Sequence, residues 1–349
     1  MLNKTSPPPL CRGSIGYESR MKIVDANETE RALPFGTLIP ALREMFVAGC
    51  VVPPRHHHRI ELDAGPDATL LLMPAWKAHD ALGVKILNVF PGNADKGLPG
   101  LYALYCLFDA EHGTPIAMLD GNVLTARRTA AVSALAASYL ARPDADRLLV
   151  VGAGRIASLL PEAYREVRAL RHVAVWNPTT PRAQALADRL RTLDFDASVA
   201  TDLETAVRAA DIVSCATLAT EPLVQGAWLH PGIHLDLIGS FTPDMRETDD
   251  AAIRRSTVFV DTETALAESG DLLLPLQSGT FAAARLAGTL SDLCSGRHPG
   301  RRSAQELTLF KAVGTAMSDL AAAMVARDRL GLRTKPDGDD SRDHRPNPS

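Results

Sequence analysis

Residues 148–157 read LLVVGAGRIA, four apolar residues that stop at a glycine. Gly152-Ala153-Gly154-Arg155-Ile156-Ala157 then follows the spacing G-x-G-x-x-A. That spacing predicts a strand, a tight turn and a helix start. Gly152 permits the turn, Gly154 lets backbone approach a pyrophosphate, and Ala157 lets the helix pack on the strand. The phosphate would meet free N–H groups at the positive end of a helix. Ala153, Arg155 and Ile156 complete the expected cofactor-binding turn. Similar turns occur in α/β proteins that hold no cofactor, so the surrounding chain has to decide.

Downstream the texture alternates. Helices are expected over 159–170, 181–193 and 203–209. Strands are expected over 173–176, 197–200, 212–216, 234–238 and 257–260. Short strands alternating with helices over this distance predict a doubly wound parallel sheet. In such a fold an acid about 20 residues past the glycines holds the ribose 2′-hydroxyl and favours NAD. The second strand here ends Trp176-Asn177-Pro178-Thr179-Thr180, with Arg182 beyond, and no acid stands there. Asn177, Thr179 and Arg182 suit a 2′-phosphate, so NADPH is the expected cofactor, with NADH possible. The plain alternative is an ordinary loop capped by Thr180.

Upstream, 68–73, 84–90 and 101–108 are apolar runs separated by Pro- and Gly-rich turns, which predicts a mixed or antiparallel sheet. MKIVDA from Met21, the expected natural start, reads as a strand. Asn27 and Thr29 are candidate caps before a helix over 35–47. An alanine-rich helix is expected over 126–140 and a last helix over 307–330, apolar on more than one face. Residues 1–20, with a proline triplet, and the charged tail 333–349 are expected to be disordered.

The chain's 349 residues suffice for about two domains. A net charge of −4 with interspersed signs gives no reason to expect nucleic acid or an acidic membrane. Five scattered cysteines, none in a C-x-x-C pair, suggest neither zinc nor a disulfide framework. No apolar run reaches the roughly 18 residues of a spanning helix. A cytoplasmic enzyme is the expectation.

Four places carry candidate chemistry. Lys85 lies inside an apolar strand, where an ammonium must snorkel, pair or work. It either binds an anion and delivers a proton or sits on the outer face of an edge strand. Arg127-Arg128-Thr129 opens the alanine-rich helix, where two cations oppose the helix dipole. One could fork a carboxylate; the plain alternative is a surface basic pair. Arg55 precedes His56-His57-His58, which alternate across a strand and so cannot all meet one metal ion. One or two of these histidines are candidates to line a pocket. Glu268 and Asp271 follow the strand over 257–260, near the carboxyl edge where open α/β sheets bind ligands.

Taken together, these stretches resemble the ornithine cyclodeaminase/μ-crystallin family over about residues 21–331. The resemblance is carried by MPAW (73–76), GVKILNVFPGN (83–93), LTARRTAAVSALAA (124–137), VGAGRIA, ADIVSCAT (210–217), HLDLIGSFTPDMRETDD (234–250), FVDT (259–262), ESGD (268–271) and TLFKAVG (308–314). It implies a Rossmann doubly wound sheet (126–307) inserted into an α+β substrate-binding and dimerisation domain (21–125 with 308–332). It implies that Arg55, Lys85 and Arg128 surround a substrate carboxylate. Thr129, Ala216, Thr217, Val313 and Gly314 would approach the cofactor, and the protein would be a homodimer.

Members of the family differ in chemistry. The cyclodeaminases carry a glutamate two residues before the Met of the MP motif and an aspartate two residues after the LIG glycine. Here those positions hold Leu71 and Phe241, which disfavours a second ammonium. The RHHH and LIGSFTP forms look closest to bacterial reductases of Δ1-pyrroline-2-carboxylate and Δ1-piperidine-2-carboxylate. Pro178 stands where NADPH-using relatives often have arginine. The expected function is NAD(P)H-dependent reduction of cyclic imino acids to L-proline and L-pipecolate, with Lys85 or a water it holds as proton donor. Glu268 or Asp271 would offset the cations. The alternatives are an ornithine cyclodeaminase with bound NAD, a non-catalytic NADPH-dependent binder, and an opine- or alanine-type dehydrogenase.

Overall fold

Two β-sheets, joined by helices that pack between them, make up residues 21–332, which the computed structural model describes. The segments 1–20 and 333–349, expected to be disordered, lie outside the described residues. The first sheet contains β1 (Lys22–Val24), β2 (His56–Ile60), β3 (Ala68–Lys77), β4 (Ala81–Val89), β5 (Leu101–Asp109) and β6 (Pro115–Asp120). Its order is β1-β6-β5-β4-β3-β2, antiparallel except where β1 joins β6. The three apolar runs are thus strands β3, β4 and β5, and β4 is central. Lys85 is therefore not on an edge.

The second sheet contains β7 (Arg147–Val151), β8 (His172–Trp176), β9 (Asp196–Val199), β10 (Ile212–Cys215), β11 (His234–Leu237), β12 (Thr257–Val260), β13 (Leu286–Thr289) and β14 (Thr308–Lys311). All pairs are parallel, in the order β13-β12-β14-β11-β10-β7-β8-β9. The winding direction reverses between β7 and β10. The crevice at the carboxyl ends of those strands is where such folds take ligands.

The alanine-rich helix spans Gly121–Leu140, earlier than expected, because the Asp120 carboxylate accepts from Val123 N (2.8 Å) and caps it. Its alanines are buried nearly all round, so small side chains let it sit between the sheets and the helices Phe35–Ala48 and Ala316–Arg329. Arg127 and Arg128 consequently lie in the second turn, not at the helix start, and the dipole argument for them lapses. Asp25, rather than Asn27 or Thr29, caps the first helix, Ala26–Ala32, by accepting from Glu28 N (2.8 Å).

Three expectations are corrected. The last helix is Ala316–Arg329, because Thr308–Lys311 is β14, fully buried and paired on both sides by β11 and β12. The return to the first sheet's side of the molecule thus comes after Lys311 and not at 308. The helix expected over 159–170 is shorter, Leu160–Arg165 behind a 3₁₀ turn, Ala157–Leu159. Past it, the Arg168 guanidinium donates to Ala137 O, Ala141 O and Arg142 O, fastening the chain to the end of the Gly121–Leu140 helix. The short strand β13 was not foreseen. No helix among the described residues is long and apolar enough to cross a membrane.

Candidate active site

A cavity of about 530 Å³ lies between the first sheet and the carboxyl edge of the parallel sheet. Its first wall follows from strand periodicity. Thr69, Leu71 and Met73 on β3 and Lys85, Leu87 and Val89 on β4 are alternate residues, so they share one face. The opposite wall is built from loops after β11 and β14, including Ile238, Phe241 and Val313. Most of the lining is apolar, so the few charges in it stand out.

Lys85 is 2% exposed, and its Nζ lies 2.7 Å from Asp319 Oδ2. Arg128 Nε donates to the other oxygen, Oδ1, also at 2.7 Å. One fully buried carboxylate from the Ala316–Arg329 helix thus serves two cations. Burial pushes Lys85 down to about 8. Asp319 pulls against this, while Arg128 and Arg55 add to it. For Asp319, burial raises the pKa, but Arg128 and Lys85 outweigh it and hold the carboxyl below its usual range. Arg127, adjacent in sequence, takes a different course. It donates to Leu33 O (2.7 Å) and stacks 4.3 Å from the Phe35 ring, outside the cavity.

Pro53-Pro54 leads into Arg55, whose Nη2 donates to Gly314 O (2.7 Å) and lies 3.4 Å from Glu268 Oε2. Glu268 is half-buried in the cavity wall. Burial pushes its carboxyl up, and nearby Asp261 adds to this against Arg55 and His57. Of the histidines, His57 faces the cavity, while His56 and His58 stack on the other face with ring centroids 6.3 Å apart. That is the alternation a strand dictates. Among the described residues no group of three or more His, Cys, Asp or Glu side chains gathers as a metal site.

Asp271 does not reach the cavity. It is fully buried, accepts from Glu247 N and Thr248 N, and meets Lys311 at 3.3 Å. The carboxylate that offsets the cations beside Glu268 is Asp319, which sequence reasoning missed. Its signal was available: it is the lone acid in the apolar run AMSDLAAAMVA. Asp261 was also missed. Its Oδ2 accepts from Val313 N (3.1 Å) and Gly314 N (2.7 Å), fixing that turn against the cavity. Gly314 has φ +81°, and a Cβ there would lie 2.8 Å from the Arg128 guanidinium. The left-handed backbone favours glycine, and a side chain there would displace the Arg128 guanidinium.

The glycine turn ends β7 beside this cavity, which Thr129, Ile156, Val313 and Gly314 line. Gly152 has φ +116°, and a Cβ on it would lie 2.6 Å from Ala216 O, so β7 and the end of β10 meet there. Gly152 N donates to Trp176 O, joining the turn to β8. Gly154 differs: it is exposed, with nothing within 4 Å of a would-be Cβ. No protein atom demands glycine there, whereas a pyrophosphate lying on the backbone would, so the residues present fit a dinucleotide. Asn177, Thr179 and Arg182 sit at the carboxyl end of β8, outside the cavity. Asn177 Nδ2 donates to Thr179 O (3.1 Å), and Thr179 and Arg182 are exposed. The helix Thr180–Thr192 has Thr179, not Thr180, at its N-cap, without a side-chain hydrogen bond.

This arrangement places three cations and two carboxylates, a net charge of +1, against an apolar chamber that opens on a dinucleotide crevice. It can hold one carboxylate and deliver a proton beside it. The chain is similar to known proteins over most of its length. Delta(1)-pyrroline-2-carboxylate reductase of Paracoccus denitrificans is 42% identical over 269 residues, 76% of this chain and 85% of its own. The structure of Thermococcus litoralis Delta(1)-pyrroline-2-carboxylate reductase in complex with NADH and L-proline superposes with a TM-score of 0.84 at 30% identity. The match covers 90% of this chain and all of that one. An archaeal alanine dehydrogenase dimer with bound NAD gives 0.82 at 28% identity over 89% of this chain and 96% of that one. The sequence pattern of the ornithine cyclodeaminase/mu-crystallin family matches residues 26–333, and the chain belongs to that family.

Proposed function

We propose that this protein reduces cyclic imino acids, Δ1-pyrroline-2-carboxylate to L-proline and Δ1-piperidine-2-carboxylate to L-pipecolate, with a reduced nicotinamide dinucleotide. The observation that carries this reading is the Lys85–Asp319–Arg128 set, which presents two buried cations to a mostly apolar chamber beside the dinucleotide crevice. Arg55 and Arg128 clamp the substrate carboxylate. Asp319 occupies the Nε of Arg128 and leaves its outer nitrogens for that clamp. A bound nicotinamide would supply a hydride to the imine carbon. Lys85, or a water it holds, gives its proton to the imine nitrogen, so C=N becomes CH–NH. Water returns a proton to Lys85 after release. A donor with pKa near 8 holds its proton at neutral pH and releases it readily.

Leu71 and Phe241 both line the chamber. These two positions offer no carboxylate to the distal ammonium of ornithine, and the one in the wall, Glu268, is paired with Arg55, which favours imine reduction over cyclodeamination. NADPH is the preferred reductant on this reading, because Asn177, Thr179 and Arg182 stand where an acid would select NADH. The cysteines among the described residues, Cys50, Cys106, Cys215 and Cys294, are free thiols and suit a reducing compartment such as the cytoplasm. The test is a panel of both cyclic imines with NADPH and NADH, and ornithine with NAD. Imine-dependent oxidation, faster with NADPH, is expected, with no ammonia from ornithine. A protein that oxidises neither cofactor with either imine lacks this function.

The active form on this reading is a homodimer. The outer face of the first sheet is apolar across its strands. Ile23, Met118, Leu104, Ile86 and Leu72 lie on it, and Leu104 is 46% exposed. A second copy laid on that face would remove it from water. Light scattering should give twice the 37.4 kDa chain mass, falling to a single chain in Leu104→Arg. A monomeric wild type would contradict this.

A further inference from the structure

The loops that line the cavity leave the carboxyl ends of β7, β11, β12 and β14, and the residues after β10, Ala216 and Thr217, pack against the Gly152 turn that ends β7. Just behind them lie three fully buried ionisable side chains that the chemistry above does not use: Glu247, Asp271 and Lys311. Glu247 Oε1 accepts from Thr217 N (2.8 Å) and Thr217 Oγ1 (2.9 Å), and Oε2 accepts from Gly239 N (2.7 Å). One carboxylate thus ties the residues that follow β10 to those that follow β11. Glu247 N and Thr248 N both donate to Asp271 Oδ1 (2.8 and 3.1 Å), and Asp271 Oδ2 meets Lys311 Nζ (3.3 Å). Lys311 ends β14, directly before the Ala312–Gly314 turn of the cavity wall.

The approach is as close as backbone allows. A Cβ on Gly239 would lie 2.0 Å from Thr217 O and 2.5 Å from Glu247 Oε1. Burying three charges is expensive, and an apolar cluster of the same volume would hold a core as well or better. Two carboxyl groups share one ammonium and five further hydrogen-bond donors. Burial and Asp271 push the Glu247 carboxyl up, and Lys311 and the Thr217 donors pull it down. Such a network is worth keeping where it fixes geometry.

We propose that Glu247 is a positioning residue of this site. It holds Thr217 on the cofactor side and the Gly239–Pro243 loop on the substrate side in one register. Asp271 and Lys311 carry that hold on to the Val313–Gly314 turn. Glu247 itself lines no part of the cavity. The inference rests on the reading of the crevice as a nicotinamide site. The molecule supplies its own control in Asp236, on β11. It is an equally buried carboxylate that accepts from Ser214 on β10, Ser133 on the Gly121–Leu140 helix and Tyr164 on the Leu160–Arg165 helix, and it bonds to none of the loops that Glu247 ties together.

The experiment compares Glu247→Gln with Asp236→Asn. In the first, the amide keeps the shape but sets an N–H group against a backbone N–H and removes the charge. NADPH and NADH affinities are measured by fluorescence titration without imine, then kcat and KM for both substrates, and the melting temperature. Both variants should melt lower. Only Glu247→Gln should weaken cofactor binding, at least fivefold, and raise the imine KM by a similar factor. Asp236→Asn should stay within twofold on both. A folded Glu247→Gln that binds cofactor within twofold of wild type overturns the proposal, as does an equal loss in Asp236→Asn. If Glu247→Gln does not fold, Thr217→Val decides by removing the hydroxyl that donates to Glu247 and accepts weakly from Ala219 N: two- to threefold weaker cofactor binding is expected, and unchanged binding overturns the proposal. If wild type reduces no imine, the proposed function fails while the cofactor titrations still judge Glu247.

Discussion

Lys85→Met is expected to lower kcat for imine reduction by about 10²–10⁴, the usual contribution of a positioned general acid, while NADPH still binds. The same substitution is expected to stabilise the fold. In the native state the Lys85 pKa falls from 10.5 to about 8, so folding penalises the protonated form. The penalty is fully present below pH 8, shrinks between pH 8 and 10.5, and is gone above. At pH 7 it amounts to something on the order of 3 kcal/mol, at 1.36 kcal/mol per pKa unit. Methionine removes that charge, keeps the apolar stem, and leaves Asp319 its partner Arg128. A melting temperature several degrees above wild type at pH 7, converging with it toward pH 10, is the expected signature. That result would mark Lys85 as serving chemistry rather than packing. Full activity in Lys85→Met would remove it as proton donor. Wild type that binds cofactor but turns nothing over would instead favour the non-catalytic binder.

What could be read in advance and what could not follows from the range of the interactions. The glycine turn and the strands and helices after it are local patterns, and the strand, turn and helix start expected over residues 148–157 are present at the end of β7. Lys85 was visible because a charge inside an apolar strand breaks a local rule. Thr308–Lys311 read as helix because its apolar run continues into a helix, and only pairing with β11 and β12 makes it a strand. Asp319 escaped because its meaning comes from Arg128, 191 residues away on another helix, and from Lys85 on the first sheet. Arg127 and Arg128 looked equivalent, yet neighbours on a helix are about 100° apart around its axis, so one faces Phe35 and the other the cavity.

Asp319→Asn tests the centre of the arrangement, and its signs run opposite to those of Lys85→Met. Asp319 is the only group among those acting on Lys85 that raises its pKa, and burial, Arg128 and Arg55 all lower it. Without the carboxylate, Lys85 must lose its proton below pH 8. The alkaline limb of kcat/KM, which falls as Lys85 deprotonates, should move from about 8 toward lower pH. Activity at pH 8 should be nearly lost and partly recovered on acidification. Stability should drop, because taking one partner from a buried ion pair costs about 3–5 kcal/mol, and here Arg128 is left buried without its carboxylate. That loss has its own pH signature. The native Asp319 pKa lies below its ordinary 3.8, so the carboxylate's contribution is complete above that value and fades as pH falls through the native one. The urea midpoints of wild type and Asp319→Asn should therefore differ most above about pH 4 and converge below it. An alkaline limb unmoved by Asp319→Asn would mean that Lys85 is not the group titrating there. A limb that shifts, with stability falling where Lys85→Met raises it, would show one carboxylate setting both the proton supply and the fold around it.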